Sequence, residues 1–319
     1  MPASPSSTAM PRQDLQTVQD FSLEMQRRNY IGPRIMPIFP VQARTARFGK
    51  IALADLLAAG DEKLERAAKA GYSRADWKFT QDSFITQNRG VEEEIDDDER
   101  QLYATMFDAE MIAVQRAYER LFNKFDSLAV ANSVDATVTA SQTTAASAVW
   151  TNPATGTPRA DVKAAKRAMW DRTGMTPNTL VVSEWRYEDL KDSDEIIERM
   201  SGQGAGESSK PNELTESKLA ELLGVDQVLV AKAIEYDGTV SSVFPDDKAL
   251  LLRAPRTQSM AEPCFARTFV FAGIHGDFLP TPFTYRQEEI ECDIVRLKHE
   301  YDQKVINSEM AQVITGLTS

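Results

Sequence analysis

One uninterrupted amphipathic segment constrains this chain more than any other feature of its sequence. Between Glu92 and Ala131 there is no proline or glycine, and after a first step of seven the apolar residues recur every three or four positions. They are Ile95, Leu102, Met106, Ala109, Ala113, Ala117, Leu121, Phe125 and Leu128. This period predicts an α-helix of about 35 residues, roughly 50 Å long. Because the repeat is rich in alanine and lacks Leu/Ile heptads, a packed helix is favoured over a coiled coil.

A regular alternation of helix and strand signals follows over residues 160–255. Pro158 can start a helix that closes at Gly174, and TLVVS then reads as a buried strand. Short helices are predicted from about Glu184 and Asp194, and another in LTESKLAELLGV, before strands in VLVAKA and KALLLRA. This order predicts one compact α/β domain. From Phe265 onward the pattern predicts only strands, including one long alternating run, FTYRQEEIECDIVRLKHEY.

The first 90 residues hold little that could form a core. Residues 1–20 are rich in Ser, Pro, Thr and Gln and predict a flexible arm. Residues 29–48 carry Pro33, Pro37 and Pro40 among apolar residues, which favours extended chain. Residues 49–90 predict a projecting lobe with a short helix over 53–69 and a strand in WKFTQDSFITQN. Such segments must lie on something else, in the same subunit or in another one.

Composition excludes several classes of protein. The 319 residues suggest about two domains or one elaborate domain, and 36 Lys+Arg against 48 Asp+Glu give a net charge of −12. A chain this acidic is a poor sequence-independent DNA binder. No secretory h-region lies in the first 20 residues, and nowhere do 18 apolar residues follow one another. We therefore expect a soluble protein made in a cytoplasm, without a membrane, whose two cysteines are reduced.

Two stretches could bind a ligand, and each has a simpler explanation. The glycines Gly202, Gly204 and Gly206 have the spacing GxGxG and follow a helix, and Lys210 is not followed by the Ser or Thr of a P-loop. A mobile loop is therefore favoured over a nucleotide-binding site. The acidic run could hold Mg²⁺ or Ca²⁺, but it lacks an EF-hand's glycine and ligand order. Its carboxylates are Glu92, Glu93, Glu94, Asp96, Asp97, Asp98 and Glu99. Carboxylates at a helix N-terminus are favoured instead by the helix dipole.

No catalytic constellation emerges from the remaining candidates. His275 and His299 could each act as a general base, yet neither lies in a nucleophile motif. Cys264 and Cys292 are typical of small packing residues. The tryptophans are scattered and do not form a stacking platform for nucleic acid; they are Trp77, Trp150, Trp170 and Trp185. We therefore predict no catalytic, cofactor-binding or metal-binding residues, no cofactor, and a structural protein that is not an enzyme.

The order of segments resembles the major capsid proteins of tailed bacteriophages with the Hong Kong 97 fold. Four passages carry the resemblance. The family's proline-rich arm is similar to IGPRIMPIFPVQARTARFGKI, and its spine helix is similar to DDERQLYATMFDAEMIAVQRAYERLF. The other two passages resemble one branch of these coat proteins. Those two are WTNPATGTPRADVKAAKRAMWDRTGMTPNTLVVSEWRYEDLKDSDEII and LTESKLAELLGVDQVLVAKA. Together they span nearly the whole chain.

The resemblance implies an α+β subunit of the Hong Kong 97 type, divided into arm, loop and two domains. The implied parts are an N-terminal arm (1–45), an extended loop (46–90), a peripheral domain with the spine helix (91–159), an axial α/β domain (160–255), peripheral strands (256–300) and a C-terminal return to the axial domain (301–319). The family often carries a long N-terminal scaffolding segment that a protease removes, whereas about 20 residues precede the arm here. We therefore expect either a separate scaffold protein or an already mature chain. No Lys–Asn cross-link pair can be matched.

The implied function is a shell protein that assembles in the host cytoplasm as pentamers and hexamers into the icosahedral head of a virion. Its implied partners are further copies of itself, portal and scaffolding or decoration proteins, and packaged double-stranded DNA without sequence-specific contact. The alternatives are an encapsulin-type compartment shell and, from another class, a cytosolic α/β enzyme or ligand-binding protein built on 160–255.

Charge suggests two further hypotheses about a shell. An acidic wall would adsorb DNA weakly, so that packaged DNA could slide. The extended loop carries four cations that could pair with the acidic run of a neighbouring subunit; they are Lys63, Arg66, Lys69 and Arg74. Exposed pairs contribute little singly, so only a network of them would matter.

Overall fold

The structure is a computed structural model that describes residues 10–11, 30–51, 79–103, 109–135, 139–201, 214–236, 238–260, 262–272 and 280–318. Its helices are α1 (Gly32–Ile35), α2 (Asp97–Tyr103), α3 (Ala109–Val134), α4 (Pro158–Thr173), α5 (Glu184–Asp192), α6 (Asp194–Ser201) and α7 (Glu216–Leu223). None of the helices in the described ranges has the length and apolar character needed to cross a bilayer.

The strands form two large sheets and two hairpins. They are β1 (Met10–Pro11), β2 (Ile38–Val41), β3 (Thr45–Ile51), β4 (Phe79–Ile85), β5 (Gln87–Asp96), β6 (Thr143–Ala145), β7 (Thr179–Ser183), β8 (Gln227–Ala231), β9 (Ile234–Tyr236), β10 (Val240–Ser242), β11 (Lys248–Leu252), β12 (Ala266–Phe271), β13 (Phe283–Gln287), β14 (Cys292–Val305) and β15 (Ala311–Thr315).

The first sheet is organised around the long strand β14. On one edge β14 pairs with β13 and then with β12, and on the other it pairs with β5 from Cys292 through Tyr301. β2 extends the sheet beyond β12, and β1 adds two residues beyond β13. The predicted single run in this region is wrong: a 3₁₀ turn at Glu288–Ile290 and a left-handed Glu291 fold it into the hairpin β13–β14.

The long helix lies across this sheet but begins later than its sequence pattern predicts. Val114, Tyr118 and Phe122 of α3 pack against Val295 and Leu297 of β14. The predicted start at Glu92 is wrong because residues 92–96 belong to β5, where Glu93 and Ile95 are buried and their neighbours point outward. That alternation has the period of a strand, and the step of seven after Ile95 marks the change. Residues 104–108, between α2 and α3, lie outside the described residues.

The second sheet is the centre of an α/β lobe with its own core. Its strand order is β6-β15-β11-β7-β8, with β15 inserted between β6 and β11. Leu180 and Leu251 on one face meet the buried sides of α4, α5, α6 and α7. On the other face, Val181 and Leu250 join the C-terminal turns of α3 in a second cluster.

Helix ends in the lobe follow the predicted signals. α4 begins with Pro158 and ends at Gly174, whose φ of 67° is in the left-handed region that glycine adopts at little cost. Thr215 accepts from the amide of Lys218 at the start of α7, and Gly224 ends that helix. In the arm, Pro33 lies in the first turn of α1, so this part of the predicted extended segment is a short helix instead.

Candidate functional site

The hairpin β3–β4 is one of two described strand pairs that do not belong to the two large sheets. Its strands pair over their full length, from Thr45 with Ile85 to Ile51 with Phe79. Where the hairpin joins the sheet, the Thr86 amide donates to the Arg44 carbonyl at 2.9 Å. The predicted strand in WKFTQDSFITQN is confirmed as β4, whereas the predicted helix over 53–69 lies outside the described residues.

An aromatic contact fixes the hairpin to the sheet. The ring of Phe84 stacks on that of Phe269 in β12, with centroids 4.4 Å apart, and Phe48 approaches the same ring at 5.5 Å. Phe39 meets Phe269 edge-on at 5.9 Å. Because Phe84 and Phe269 are almost fully buried, this small cluster contributes a hydrophobic attachment of the hairpin to the sheet.

Charged contacts, which we call the latch, surround the aromatic pair. Glu300 pairs with Arg44 at 3.0 Å, and Lys304 pairs with Asp82 at 2.6 Å. Asp302 accepts from the backbone amide of the hairpin residue Ile85 at 3.0 Å. Since successive side chains of a strand alternate, the even-numbered residues of β14 at 300–304 face the hairpin. The latch is partly exposed, so each pair contributes little alone.

The odd-numbered residues of β14 from Val295 to Tyr301 are buried, and Gln303 beyond them is partly buried. Gln303 donates to the carbonyl of Phe125 at 3.0 Å, and the rings of Phe125 and Tyr301 lie 5.0 Å apart. His299 is only 3% exposed, and burial, with a smaller effect of Arg89, lowers its pKa to about 3. A histidine that stays neutral in this environment is a packing residue and is unsuited to proton transfer near pH 7.

The arm is fixed to α3 where it enters the described structure. The amide of Gly32 donates to Asp126 Oδ1, and Tyr30 donates to Asn123 Oδ1 at 2.8 Å. Asp126 is fully buried, and this burial raises its pKa to about 6 although the amides of Gly32 and Ile31 act in the opposite direction. In the sequence, Asp126 is a lone carboxylate on the apolar face of the long helix, and this feature could have indicated the contact.

Three carboxylates of the acidic run form ion pairs within the subunit. Arg120 contacts Glu93 at 2.6 Å, Arg286 contacts Asp97 at 2.6 Å, and Arg296 contacts Glu92. The hydrogen bond from Arg286 holds the pKa of Asp97 below its usual value. The predicted position at a helix N-terminus fits Asp97 and Asp98 but is wrong for 92–96. Three members of the run therefore have partners that do not come from a neighbouring subunit.

The other candidate residues do not converge on a site. Both cysteines are free and buried, and Arg267 Nε approaches Cys264 Sγ at 3.3 Å. Several candidates lie outside the described residues: His275, the glycine-rich loop with Gly202, Gly204, Gly206 and Lys210, and the four loop cations at 63–74. Among the residues that are described, no group of three or more His, Cys, Asp or Glu is arranged to hold a metal ion.

The tryptophans differ strongly in their exposure. Trp150 is buried and donates to Asp161 at 2.9 Å. Trp170 on α4 is 56% exposed and Trp185 on α5 is 66% exposed. Trp77 lies outside the described residues. Two indoles of this lobe are therefore exposed in the single subunit.

No family profile matches this sequence, and no curated protein does either. Solved structures do match. A phage-related protein from Bordetella bronchiseptica aligns with a TM-score of 0.70 and 20% identity over 98% of each chain. The capsid of cyanophage P-SCSP1u aligns with a TM-score of 0.58 and 10% identity over 89% of this chain and 87% of that one. An encapsulin from Synechococcus elongatus aligns with a TM-score of 0.54 and 11% identity over 99% of this chain and 92% of that one. The chain has the Hong Kong 97 fold, as the resemblance implied.

Proposed function

We propose that this chain is the major capsid protein of a tailed phage or prophage, assembling as pentamers and hexamers into the icosahedral head. The observation that carries the proposal is the alignment over 98% of both chains with a phage-related protein, the highest TM-score among these matches. In this proposal the role of the chain is association and not turnover.

The distribution of cores supports this proposal. The α/β lobe has a large buried cluster of its own, whereas the described strands β3 and β4 are attached through the aromatic cluster around Phe269 and the latch. A segment with so little internal burial is expected where neighbouring subunits complete the fold. In this proposal 1–45 is the arm, 46–90 the extended loop, 91–159 and 256–300 the peripheral domain, and 160–255 with 301–319 the axial domain.

We propose the same partners and location as the resemblance implies. The partners would be further copies of the chain, a portal and a scaffolding or decoration protein, and double-stranded DNA would be packaged without sequence-specific contact. Copies would assemble in the host cytoplasm and remain in the virion. Many repeated contacts, each weak to moderate, would then give a stable closed shell.

The test is assembly of the full-length chain. Purified protein, treated with nuclease to remove aggregates held by nucleic acid, would be examined by light scattering and electron microscopy. We expect rings of five and six copies or closed shells. A stable monomer or dimer at every protein concentration and salt condition, with and without its neighbouring gene products, would contradict the proposal.

An encapsulin-type compartment is the second candidate, because an encapsulin matches 99% of this chain. The content of shells made together with neighbouring gene products separates the two. Double-stranded DNA and a portal support the phage head, whereas an enzyme held through a docking peptide supports the compartment. A monomer that binds a small molecule tightly would instead favour the cytosolic α/β enzyme or ligand-binding protein.

A further inference from the structure

We infer that an exposed face of α4 on one copy of this chain docks against an exposed face of α5 on the next copy. This contact rests on the proposed function and specifies it, because it names the residues that join neighbouring lobes around a ring. The occupant of each face is therefore a second copy of the same chain.

The first surface, the α4 face, consists of Lys163, Arg167 and Trp170. All three side chains are exposed, that of Arg167 to 83%. The opposite side of α4 packs Val162, Ala165 and other apolar residues into the lobe. The fold of one subunit thus buries one side of α4 and leaves an indole and two cations exposed on the other side. Arg167 pairs with the exposed carboxylate of Asp171 on the same helix at 3.8 Å.

The second surface, the α5 face, consists of Trp185, Glu188 and Asp192. These residues are exposed, while Tyr187 and Leu190 on the other side of α5 are buried in the lobe. Glu188 contacts Lys191 at 2.7 Å on the same helix. This face combines an indole with two carboxylates, so it is opposite in charge to the α4 face.

The spacing of the two faces matches when the helices run antiparallel. Along α4 the steps from Lys163 are four residues to Arg167 and then three to Trp170. Backward along α5 the steps from Asp192 are four to Glu188 and then three to Trp185. Each face spans about 10 Å at 1.5 Å per residue. Antiparallel docking therefore opposes Lys163 to Asp192, Arg167 to Glu188, and Trp170 to Trp185.

The charge of the surrounding helices favours the same pairing. In a chain with a net charge of −12, α4 carries five cations and two carboxylates. Residues 184–201, which form α5 and α6, carry seven carboxylates and three cations. Opposite potentials steer encounter and suppress wrong pairings, whereas tryptophan and arginine are the residues that most often anchor interfaces.

The positions of the two helices permit a ring. α4 contacts β15 and β11, while α5 contacts β7 and β8, so the helices lie over different strands of the sheet. A contact between two different faces of the same subunit is heterologous, and it closes into a ring when the rotation between copies closes. One contact type can then serve both five-membered and six-membered rings with a small change in angle.

Charge reversal of each face tests this contact. One variant carries Lys163→Glu with Arg167→Glu, and the other carries Glu188→Lys with Asp192→Lys. Each alone places like charges across every contact, and we expect the protein concentration needed for assembly to rise by about tenfold or more. Both reversals in one chain restore opposite charges and should restore assembly. Unchanged thermal unfolding shows that each variant is folded.

Mixing the two single-face variants gives a sharper result. A copy with two acidic faces can contact only a copy with two basic faces, so the two must alternate around a ring. We expect rings of six but no rings of five, and therefore no closed icosahedral shells. Rings of five in this mixture, or normal assembly by either variant alone, would overturn the proposed contact.

A cross-link provides a measurement that does not depend on charge. In a chain carrying Trp170→Cys and Trp185→Cys, mild oxidation of assembled protein should give disulfide-linked ladders up to five and six copies. Shells that form but yield only single chains would overturn the contact while leaving the proposed function intact. Failure of the unaltered chain to assemble would count against the proposed function itself.

Discussion

The hairpin β3–β4 and the α/β lobe are built in opposite ways. The lobe buries Leu180, Leu251 and many other apolar side chains between one sheet and four helices. The hairpin buries Phe84 against a ring of another strand and adds the latch around it. The lobe is held by burial within itself, whereas the hairpin is held by what it lies on. This difference implies that the lobe keeps its shape in an isolated subunit and that the hairpin can be repositioned by a neighbour.

The largest expected effect is in the core of the lobe. Leu251→Ala removes a fully buried side chain of β11 and leaves a cavity, which should cost about 3–5 kcal/mol of unfolding free energy. Denaturant unfolding measures this cost, and Ile290→Ala, at a site 43% exposed, is the matched control. A loss below about 1 kcal/mol would show that the lobe is not the stable unit.

At the hairpin, Phe84→Ala should have a large but local effect. Loss of the stacked ring should lower the free energy of local opening by about 3 kcal/mol. Amide exchange in β3 and β4 should then accelerate about 100-fold, while exchange in β7 and β11 stays unchanged. Ile85→Ala, at the 60% exposed neighbouring position, should leave exchange unaffected. Equal acceleration in the lobe would remove the distinction between the two regions.

Asp126 sharpens the comparison because it is a charge inside the core, unlike the charges of the latch. Its pKa of about 6 lies above the usual value of about 4 for an unfolded aspartate. The native state therefore retains a proton that the unfolded state has lost between about pH 4 and 6, and stability linked to this group falls as pH rises through that window.

Asp126→Asn should remove that pH dependence while keeping an acceptor for the Gly32 amide. We expect the variant to gain about 2 kcal/mol over the natural chain at pH 7.5 and to equal it near pH 4. Unfolding free energies at the two pH values measure the difference. Asp126→Ala, which loses the acceptor, should be less stable than the Asn variant at both. If the unfolding free energies of the Asn variant and the natural chain differed by the same amount at both pH values, the raised pKa of Asp126 would be contradicted.

The smallest expected effect is in the latch. Lys304→Met removes the contact with Asp82 and should cost less than about 1 kcal/mol, because both side chains are partly exposed. Amide exchange of β4 should accelerate a few-fold at low salt and less at high salt. Lys298→Met, at an exposed position on the same strand, is the control. An effect as large as that of Phe84→Ala would mean that charge, and not the aromatic contact, holds the hairpin.

Local signals predicted the lobe well. α4 and α7 end at Gly174 and Gly224, and both glycines adopt positive φ. The buried runs TLVVS and KALLL form β7 and β11. Such elements are determined by residues close in sequence, so a single sequence is sufficient to predict them.

Long-range contacts explain what the sequence did not reveal. Ile95 lies seven residues before Leu102, which is compatible with a helix, yet residues 92–96 belong to a strand that pairs with β14 at ten consecutive positions. The latch joins Arg44 to Glu300 and Asp82 to Lys304, residues more than 200 positions apart. The α4 and α5 faces were visible only as scattered tryptophans until the structure showed which sides of these helices are buried.

The place of β15 in its sheet has a consequence for synthesis. This strand is inserted between β11 and β6, and Arg172 of α4 donates to the carbonyl of Ala311 at its start. Strands β6, β7, β8 and β11 all leave the ribosome before it, so the sheet remains split until residues 311–315 emerge. A translation product cut short before Ala311 would keep two unpaired strand edges. The order of strands thus makes completion of the lobe a check that residues 311–315 of each copy have been synthesised before it joins others.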